Sequence, residues 1–343
     1  MEIYRFPLFR LKQNDCIRVL RSMNFLDQLS FSVISNRSKN LVKSLKLVRI
    51  CLYLRLRENL TLAISSYKTT MRLSFERDNF RPEPIGQIYN PNCDYIRIRI
   101  RKRRGEPRES YTWRKEEFRS IRDWIDHFRD VFNKPKISHI EWASNIYDPQ
   151  SIQRIIKDLE SNWVNMEECT LDYYKRIYAA YKETNRLNLY LCNQRNLTPM
   201  HDLIIGNYDF YWPPNEIRNN YKLSLNDLLV SNSREILGHS PIDETFLNKF
   251  LKLWRRGSNP RLQHLYVYSR PNVVFNIENV LKGIDHQESP ECRKREFKIS
   301  QYHGYEVNYL IVRSGIDIHR FDGIHCTVNY IQGLRMFDMF VWD

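Results

Sequence analysis

Residues 6–45 read FPLFRLKQNDCIRVLRSMNFLDQLSFSVISNRSKNLVKSL. Over 8–23, Leu8, Leu11, Ile17, Val19, Leu20 and Met23 recur among polar residues close to the helical period. A second apolar phrase, 25–34, carries Phe25, Leu26, Leu29, Phe31, Val33 and Ile34 and predicts another short helix. Ser35 is placed to cap a third, with Leu41, Val42 and Leu45 on one side and Arg37, Lys39, Lys43 and Lys46 on the other. Three helices this short cannot bury their apolar faces alone, so a covering surface is required, in the chain or on a partner.

The texture changes at Val48. The phrases VRICLYLRLREN, LTLAISSY and TTMRLSFERDN alternate apolar and polar residues, as an antiparallel meander does. DYIRIRIRKRRGEPRES continues it, with Ile96, Ile98 and Ile100 on one face, Arg97, Arg99 and Arg101 on the other, and a turn at 105–107. Residues 114–132 then predict an amphipathic helix from the spacing of Phe118, Ile121, Trp124, Ile125, Phe128 and Phe132.

From Pro135 the pattern alternates between strand and helix. Strands are expected at 136–142, 169–174, 186–192, 222–232 (running into a turn) and 261–269. Helices are expected at 148–161, 176–185 and 240–257, the last with Ser240 as N-cap, Pro241 at its start and Gly257 at its stop. The units recur every 25–35 residues, near the period of leucine-rich α/β solenoids, although they are not self-similar. Residues 315–331 predict a hairpin around Phe321-Asp322-Gly323, pairing Ile316 with Val328 and Ile318 with Cys326, and 336–342 a closing strand. The expected fold class is α+β: an N-terminal three-helix unit over 4–47, a β meander plus helix over 48–135, and an α/β repeat-like, irregular leucine-rich-repeat-like domain over 136–343.

The chain has 343 residues, of which 42% are hydrophobic, enough for a packed core. No apolar run is long enough to cross a bilayer. The opening MEIYRFPLFRLKQND places charges where a secretory signal needs an apolar core, so a cytoplasmic and/or nuclear location is expected. The seven cysteines are scattered, with no C-x-x-C, and read as buried thiols. Of the 54 Lys and Arg, 29 fall in residues 1–135 against 15 Asp and Glu; the remainder balances at 25 against 25. A basic front half suits nucleic acid, a membrane surface or an acidic protein.

No catalytic motif, metal set or cofactor site is legible. There is no nucleophile elbow, phosphate loop or H-E-x-x-H, and ten glycines leave little for phosphate cradles. His319 and His325 face each other in the predicted hairpin, but no third ligand is in sequence reach, and a solvated polar pair is the expectation. RIRIRKRRGEPR, 97–108, has two readings: a nucleic-acid contact, or a sheet edge whose charges discourage edge-to-edge pairing. The edge reading is favoured, because the aromatic residues are not interleaved with the basic run as a stacking platform requires. In 207–220, Tyr208, Phe210, Tyr211 and Trp212 are either substrate anchors on an exposed loop or aromatics folded back onto the array.

The opening stretch resembles an F-box, through Phe6-Pro7-Leu8, Leu11, Val19-Leu20, Met23, Asp27, Leu29, Phe31, Val33 and the phrase SNRSKNLVKS. The form is that of the large nematode F-box family. LSLNDLL at 223–229, LNKFLKLWRRGSNPRLQHL at 247–265, VLKGI at 280–284 and the terminal GIDIHRFDG and MFVW look like that family's F-box-associated domain. The resemblance implies a non-catalytic substrate receptor of a ubiquitin ligase. It would bind a Skp-type adaptor, and through it a cullin, at Leu8, Leu11, Val19, Leu20, Met23, Leu29 and Val33. A protein substrate, which the sequence does not name, would be held by the C-terminal domain. Neither membrane nor nucleic acid is expected as a partner. Three positions depart from the pattern: Lys12 and Phe25 stand where prolines are usual, which should cost turn rigidity, and Gln28 where leucine is typical, which should cost apolar contact. The reading from another class is a basic nucleic-acid-binding or scaffold protein with a decayed F-box.

Overall fold

The computed structural model describes residues 8–47, 50–66, 69–76, 94–102, 109–114, 120–134, 136–143, 146–167, 171–178, 183–188, 204–213, 223–239, 242–268, 276–290, 293–299, 308–331 and 336–342. The chain divides into two compact units. Unit 1 comprises Met1–Ser161 with Ala179–Lys182, and unit 2 comprises Asn162–Tyr178 with Glu183–Asp343. Among the described residues no helix is long and apolar enough to cross a membrane. The fold is mixed α+β.

Unit 1 opens with a 3-10 turn, Leu8–Arg10, then α1 (Gln13–Ser22), α2 (Phe25–Ser32) and α3 (Asn36–Ser44). Each of the last two is started by a side chain that satisfies a free backbone N–H. Asn24 accepts from the Asp27 amide at 2.9 Å, and Ser35 forms a capping box with Ser38. The end of α1 is closed by Gln28. This residue is buried, and its Nε2 donates to the carbonyls of Leu20 at 2.8 Å and Met23 at 3.2 Å. The Leu20 carbonyl also accepts from the Met23 amide at 3.2 Å, so Gln28 adds a second donor there and supplies the donor to the Met23 carbonyl at the helix end. The departure from leucine therefore exchanges apolar contact for a cap, and the expectation of a plain loss is corrected.

The three helices find part of their cover within the chain. α4 (Ile121–Val131) buries Ile121, Trp124, Ile125, Phe128 and Val131. Lys39 and Lys43 of α3 both reach Asp130 of α4, at 2.5 and 2.6 Å. Ser32 meets the His127 ring at 2.9 Å, and Phe25 stacks on Phe132 with ring centroids 6.0 Å apart. The basic side of α3 is thus partly a clamp and not only a solvated face. Hydrogen bonds from Lys39 and Lys43 hold the Asp130 carboxyl below the usual carboxylate range.

The meander follows as β1 (Cys51–Leu56), β2 (Leu60–Ser65), β3 (Thr69–Glu76), β4 (Tyr95–Lys102) and β5 (Glu109–Arg114), each antiparallel to the next. Period-two alternation buries Leu52, Leu54, Leu56, Leu62, Ile64, Leu73, Ile96 and Ile98 on one face, each at most 1% exposed. β6 (Lys136–Ile137) and β7 (His139–Trp142) come after α4, and β7 lies parallel to β1. α5 (Pro149–Ile156), N-capped by Asp148 with Pro149 in its first turn, leads to β8 (Glu160–Ser161), parallel to β6. The buried Glu141 of β7 accepts from Arg55 at 2.8 Å and Arg57 at 2.9 Å.

Unit 2 contains β9 (Val164–Met166), α6 (Leu171–Tyr178), β10 (Glu183–Thr184), β11 (Arg186–Asn188) and β12 (Phe210–Trp212). Next come α7 (Leu225–Val230), β13 (Glu235–His239), α8 (Glu244–Arg255), β14 (His264–Tyr268) and α9 (Ile277–Leu281). The chain ends with β15 (His286–Ser289), β16 (Arg295–Ile299), β17 (Asn308–Val312), β18 (Gly315–His319), β19 (His325–Ile331) and β20 (Met336–Trp342). β9, β11, β12, β13 and β14 run parallel in that order, and the sheet continues antiparallel through β20, β19, β18 and β15. β16 and β17 pair separately. The predicted hairpin register is the observed one, and Gly323 takes φ +88° in its loop.

Several elements of unit 2 differ from the sequence expectation, among them Glu183–Thr184, a strand where a helix is expected over 176–185. Leu171–Tyr178 is helical where a strand was expected over 169–174; Tyr173 and Ile177, four apart, are its buried pair. Leu225–Val230 is helical because Ser224 and Asp227 form a capping box, a local signal that outweighs the alternation of Leu223 and Leu225. α8 starts at Asp243, whose carboxylate accepts from the Phe246 amide at 2.7 Å; Ser240 and Pro241 lie outside the described residues. Residues 115–119, 189–192 and the 105–107 turn also lie outside them.

Two outcomes follow for unit 1. Gln28→Leu should lower stability by about 1 kcal/mol, since it takes away the donor to the Met23 carbonyl and one of two donors to the Leu20 carbonyl; denaturant unfolding monitored on unit 1 checks this. Asp130→Asn should cost at most about 1 kcal/mol at pH 7, because the pair is partly solvated. A carboxylate whose native pKa is lowered contributes above its unfolded value and loses that contribution as pH falls. The difference between parent and variant should therefore shrink as pH drops below 3.8 and through the lower native value.

Candidate interaction surface

The structure places the expected adaptor-contact residues in two groups. Leu8, Leu20 and Leu29 are buried within unit 1, with Leu20 fully enclosed. Leu11, Val19 and Met23 are half-buried, and Val33 is exposed. The first group holds the helices together, and a charge introduced there would test folding before it tested docking. Within α1–α3, exposed aliphatic side chains lie at the end of α2. Ile34 is 68% exposed and Val33 39% exposed. On the 3-10 turn, Phe9 stacks on Phe31 with centroids 5.6 Å apart, under the Arg37 guanidinium at 4.8 Å.

Phe9 and Ile34 are additions that the sequence reading did not single out as contacts. Ile34 falls outside the helical stripe that Leu29 belongs to, which is the signal that it faces elsewhere. The patch offers aliphatic and aromatic area beside one cation, a surface for another protein and not for chemistry. Exposed apolar groups in contiguity mark interaction sites.

In unit 2 the four aromatics proposed as substrate anchors are core. Tyr208, Phe210, Tyr211 and Trp212 are each at most 7% exposed. Phe210 and Trp212 cluster with Trp163, and the Tyr208 and Tyr211 rings stack at 6.4 Å. The reading as an exposed anchor loop is corrected: β12 draws these residues into a parallel sheet whose local structure buries both faces. Residues 214–220 lie outside the described ones.

His319 and His325 face each other as expected, rings 5.6 Å apart. His325 also meets the Arg295 guanidinium at 2.7 Å, and burial holds its imidazole below the ordinary histidine range. Among the described residues no group of three His, Cys, Asp or Glu is placed to hold a metal. Cys326 is buried, which pushes its thiol pKa up and leaves it inert.

The basic run 97–102 is not at a sheet edge. β4 lies between β3 and β5, and Arg97 and Arg99 project from the face of an interior strand. The edge-protection reading is corrected by β5, which pairs on the outer side of β4; its turn, 103–108, lies outside the described residues.

With this geometry in hand, comparison with known proteins locates the chain. Residues 199–267 match the F-box associated family model. That stretch holds β12, α7, β13 and α8 with most of β14. The chain is also 23% identical over 317 residues to the F-box associated domain-containing protein sdz-33 of Caenorhabditis elegans, covering 89% of this chain and 93% of the relative. No solved structure matches. Residues 199–267 thus resemble an F-box associated domain, and the chain along most of its length is similar to a nematode F-box associated domain-containing protein.

Proposed function

We propose that the chain is the substrate-recognition subunit of a Skp–cullin–F-box ubiquitin ligase. In this reading the three helices over 4–47 are an F-box that docks a Skp-type adaptor. Unit 2, whose parallel βα run is read as irregular and leucine-rich-repeat-like, holds the protein substrate. The mechanism is proximity: tethering raises the effective concentration of substrate near a conjugating enzyme, and the chain itself carries no catalytic step. The work would take place in the cytoplasm and/or nucleus.

One observation carries the reading. An α1–α3 unit that is capped, packed and clamped onto α4 still leaves Val33 and Ile34 exposed beside Phe9. Folding alone does not account for aliphatic side chains left in water at the end of a helix, and a protein surface would cover them. The half-buried Leu11, Val19 and Met23 extend the candidate contact.

The test is co-purification with adaptor and cullin. Val33→Asp with Ile34→Asp should abolish adaptor capture while the melting temperature stays within a degree or two, because exposed positions contribute little to stability. Adaptor capture at the parent level by the doubly changed, folded protein would remove the docking model. A folded parent that captures no adaptor at all would favour the scaffold reading.

A further inference from the structure

In unit 2, β16 and β17 form a ribbon of their own, joined to no other strand among the described residues. Its two faces differ. On the inner face Phe297 and Val312 are buried with Phe340, and the Phe297 ring meets Phe340 at 5.1 Å and Trp342 at 5.5 Å, edge to face. Arg295 lies over the Trp342 ring at 4.8 Å. The ribbon is therefore seated on the sheet by packed aromatics.

The outer face is left in water. The register sets Tyr309 opposite Lys298 and Ile311 opposite Glu296. Tyr309 is 57% exposed and Ile311 55%. These two side chains stand on a strand with a free edge, since β16 is the one neighbour of β17 among the described residues. A strand paired on one side turns alternate N–H and C=O groups outward, and native proteins blunt such edges with charges, proline or bulges. β17 reads NYLIV, in continuous register with β16, and carries none of these.

Charge indicates the kind of partner. Over 293–299 and 308–314, Lys294, Lys298 and Arg313 are exposed, and Glu296 is the one exposed carboxylate among the described residues there. A second copy of the chain would bring the same cations to the same edge, on a molecule of net charge +14. An acidic segment would meet them favourably.

We infer that β17 accepts an extended segment of a partner protein as an added strand. Apolar side chains of that segment pack on Tyr309 and Ile311, and acidic residues at its ends meet Lys298 and Arg313. Main-chain hydrogen bonds supply affinity and alternate side chains supply choice. Aromatic and β-branched residues pair well across strands, which favours Val or Ile opposite Tyr309. A nucleic acid fits less well, because Ile311 gives a base no ring to stack on and a phosphate chain cannot complete a ladder. This assigns a substrate class to unit 2 and rests on reading that unit as the substrate-holding one; adaptor capture by α1–α3 is a separate property, measured separately.

The experiment uses the full chain and a labelled peptide of alternating Val and Thr with two Asp at each end, its binding read by fluorescence anisotropy. Three further peptides carry backbone N-methyl groups: on every Val and Thr, on the Val residues alone, or on the Thr residues alone. A ladder needs donors on one edge of the peptide, so full methylation should weaken binding by at least about tenfold while at least one alternate pattern keeps it. Tyr309→Thr with Ile311→Thr retains strand-forming residues and should weaken the unmodified peptide about tenfold, with a melting temperature within a few degrees of the parent's. Lys298→Ser with Arg313→Ser should weaken the same peptide but not a version with Asn in place of Asp. Undiminished binding of the fully methylated peptide, or equal loss with all three methylated ones, would overturn strand addition. So would parent-level binding by the folded Tyr309→Thr, Ile311→Thr variant. A concentration-dependent dimer in sedimentation, lost in that variant, would make the occupant a second copy of the chain instead.

Discussion

In unit 1 the controlling constraint is the period of two along β1 to β4. Once Leu52, Leu54, Leu62, Ile64, Leu73, Ile96 and Ile98 are committed to one buried face, every intervening residue is committed to the other. A shift of one residue in any pairing would bury arginines and expose leucines, so the register has no near competitor. The facing of Arg72 and Arg99 is a direct consequence. Their register cannot slide, because a shift would expose the apolar face.

The structure handles the remaining charges by placing carboxylates where cations converge. Glu141 answers two arginines while almost fully buried, and Asp130 answers two lysines at the meeting of α3 and α4. Removing Glu141 would leave two guanidiniums facing each other near a low-dielectric interior; leaving it without them would bury a lone charge. In unit 2 the Asp317 carboxylate, which accepts from Thr327 and pairs with Arg293, follows the same pattern.

The two units also differ in how they bury aromatics. In unit 1, Phe25, Phe128 and Phe132 stack at a helix junction, whereas in unit 2 Phe210, Tyr211 and Trp212 are consecutive residues of one short strand. Three large consecutive side chains can all be buried only where both faces of a sheet are covered. That is why a stretch with the look of a recognition loop is instead part of the core.

Sequence alone determined the elements with strong, long or locally capped signals. The meander alternation, the amphipathic stripe of α4, the Ser35 and Asp148 caps and the 315–331 hairpin register all follow from interactions between residues close in the chain. It also carried the family likeness and the apolar phrases of the opening helices. Short apolar runs such as 171–174 and 225–230 are ambiguous in sequence because a strand and a helix of that length share the same few apolar positions, and buried spacing or a cap decides between them. Only the tertiary structure decided that Gln28 closes α1, that α4 covers the opening helices, and that the arginines of β4 belong to an interior face. Each depends on a partner far along the chain: a carbonyl eight residues away, a carboxylate nearly ninety away, a fifth strand beyond the turn. Periodicity within one element tells which face is apolar; it does not tell what stands opposite, and exposure is settled by what stands opposite.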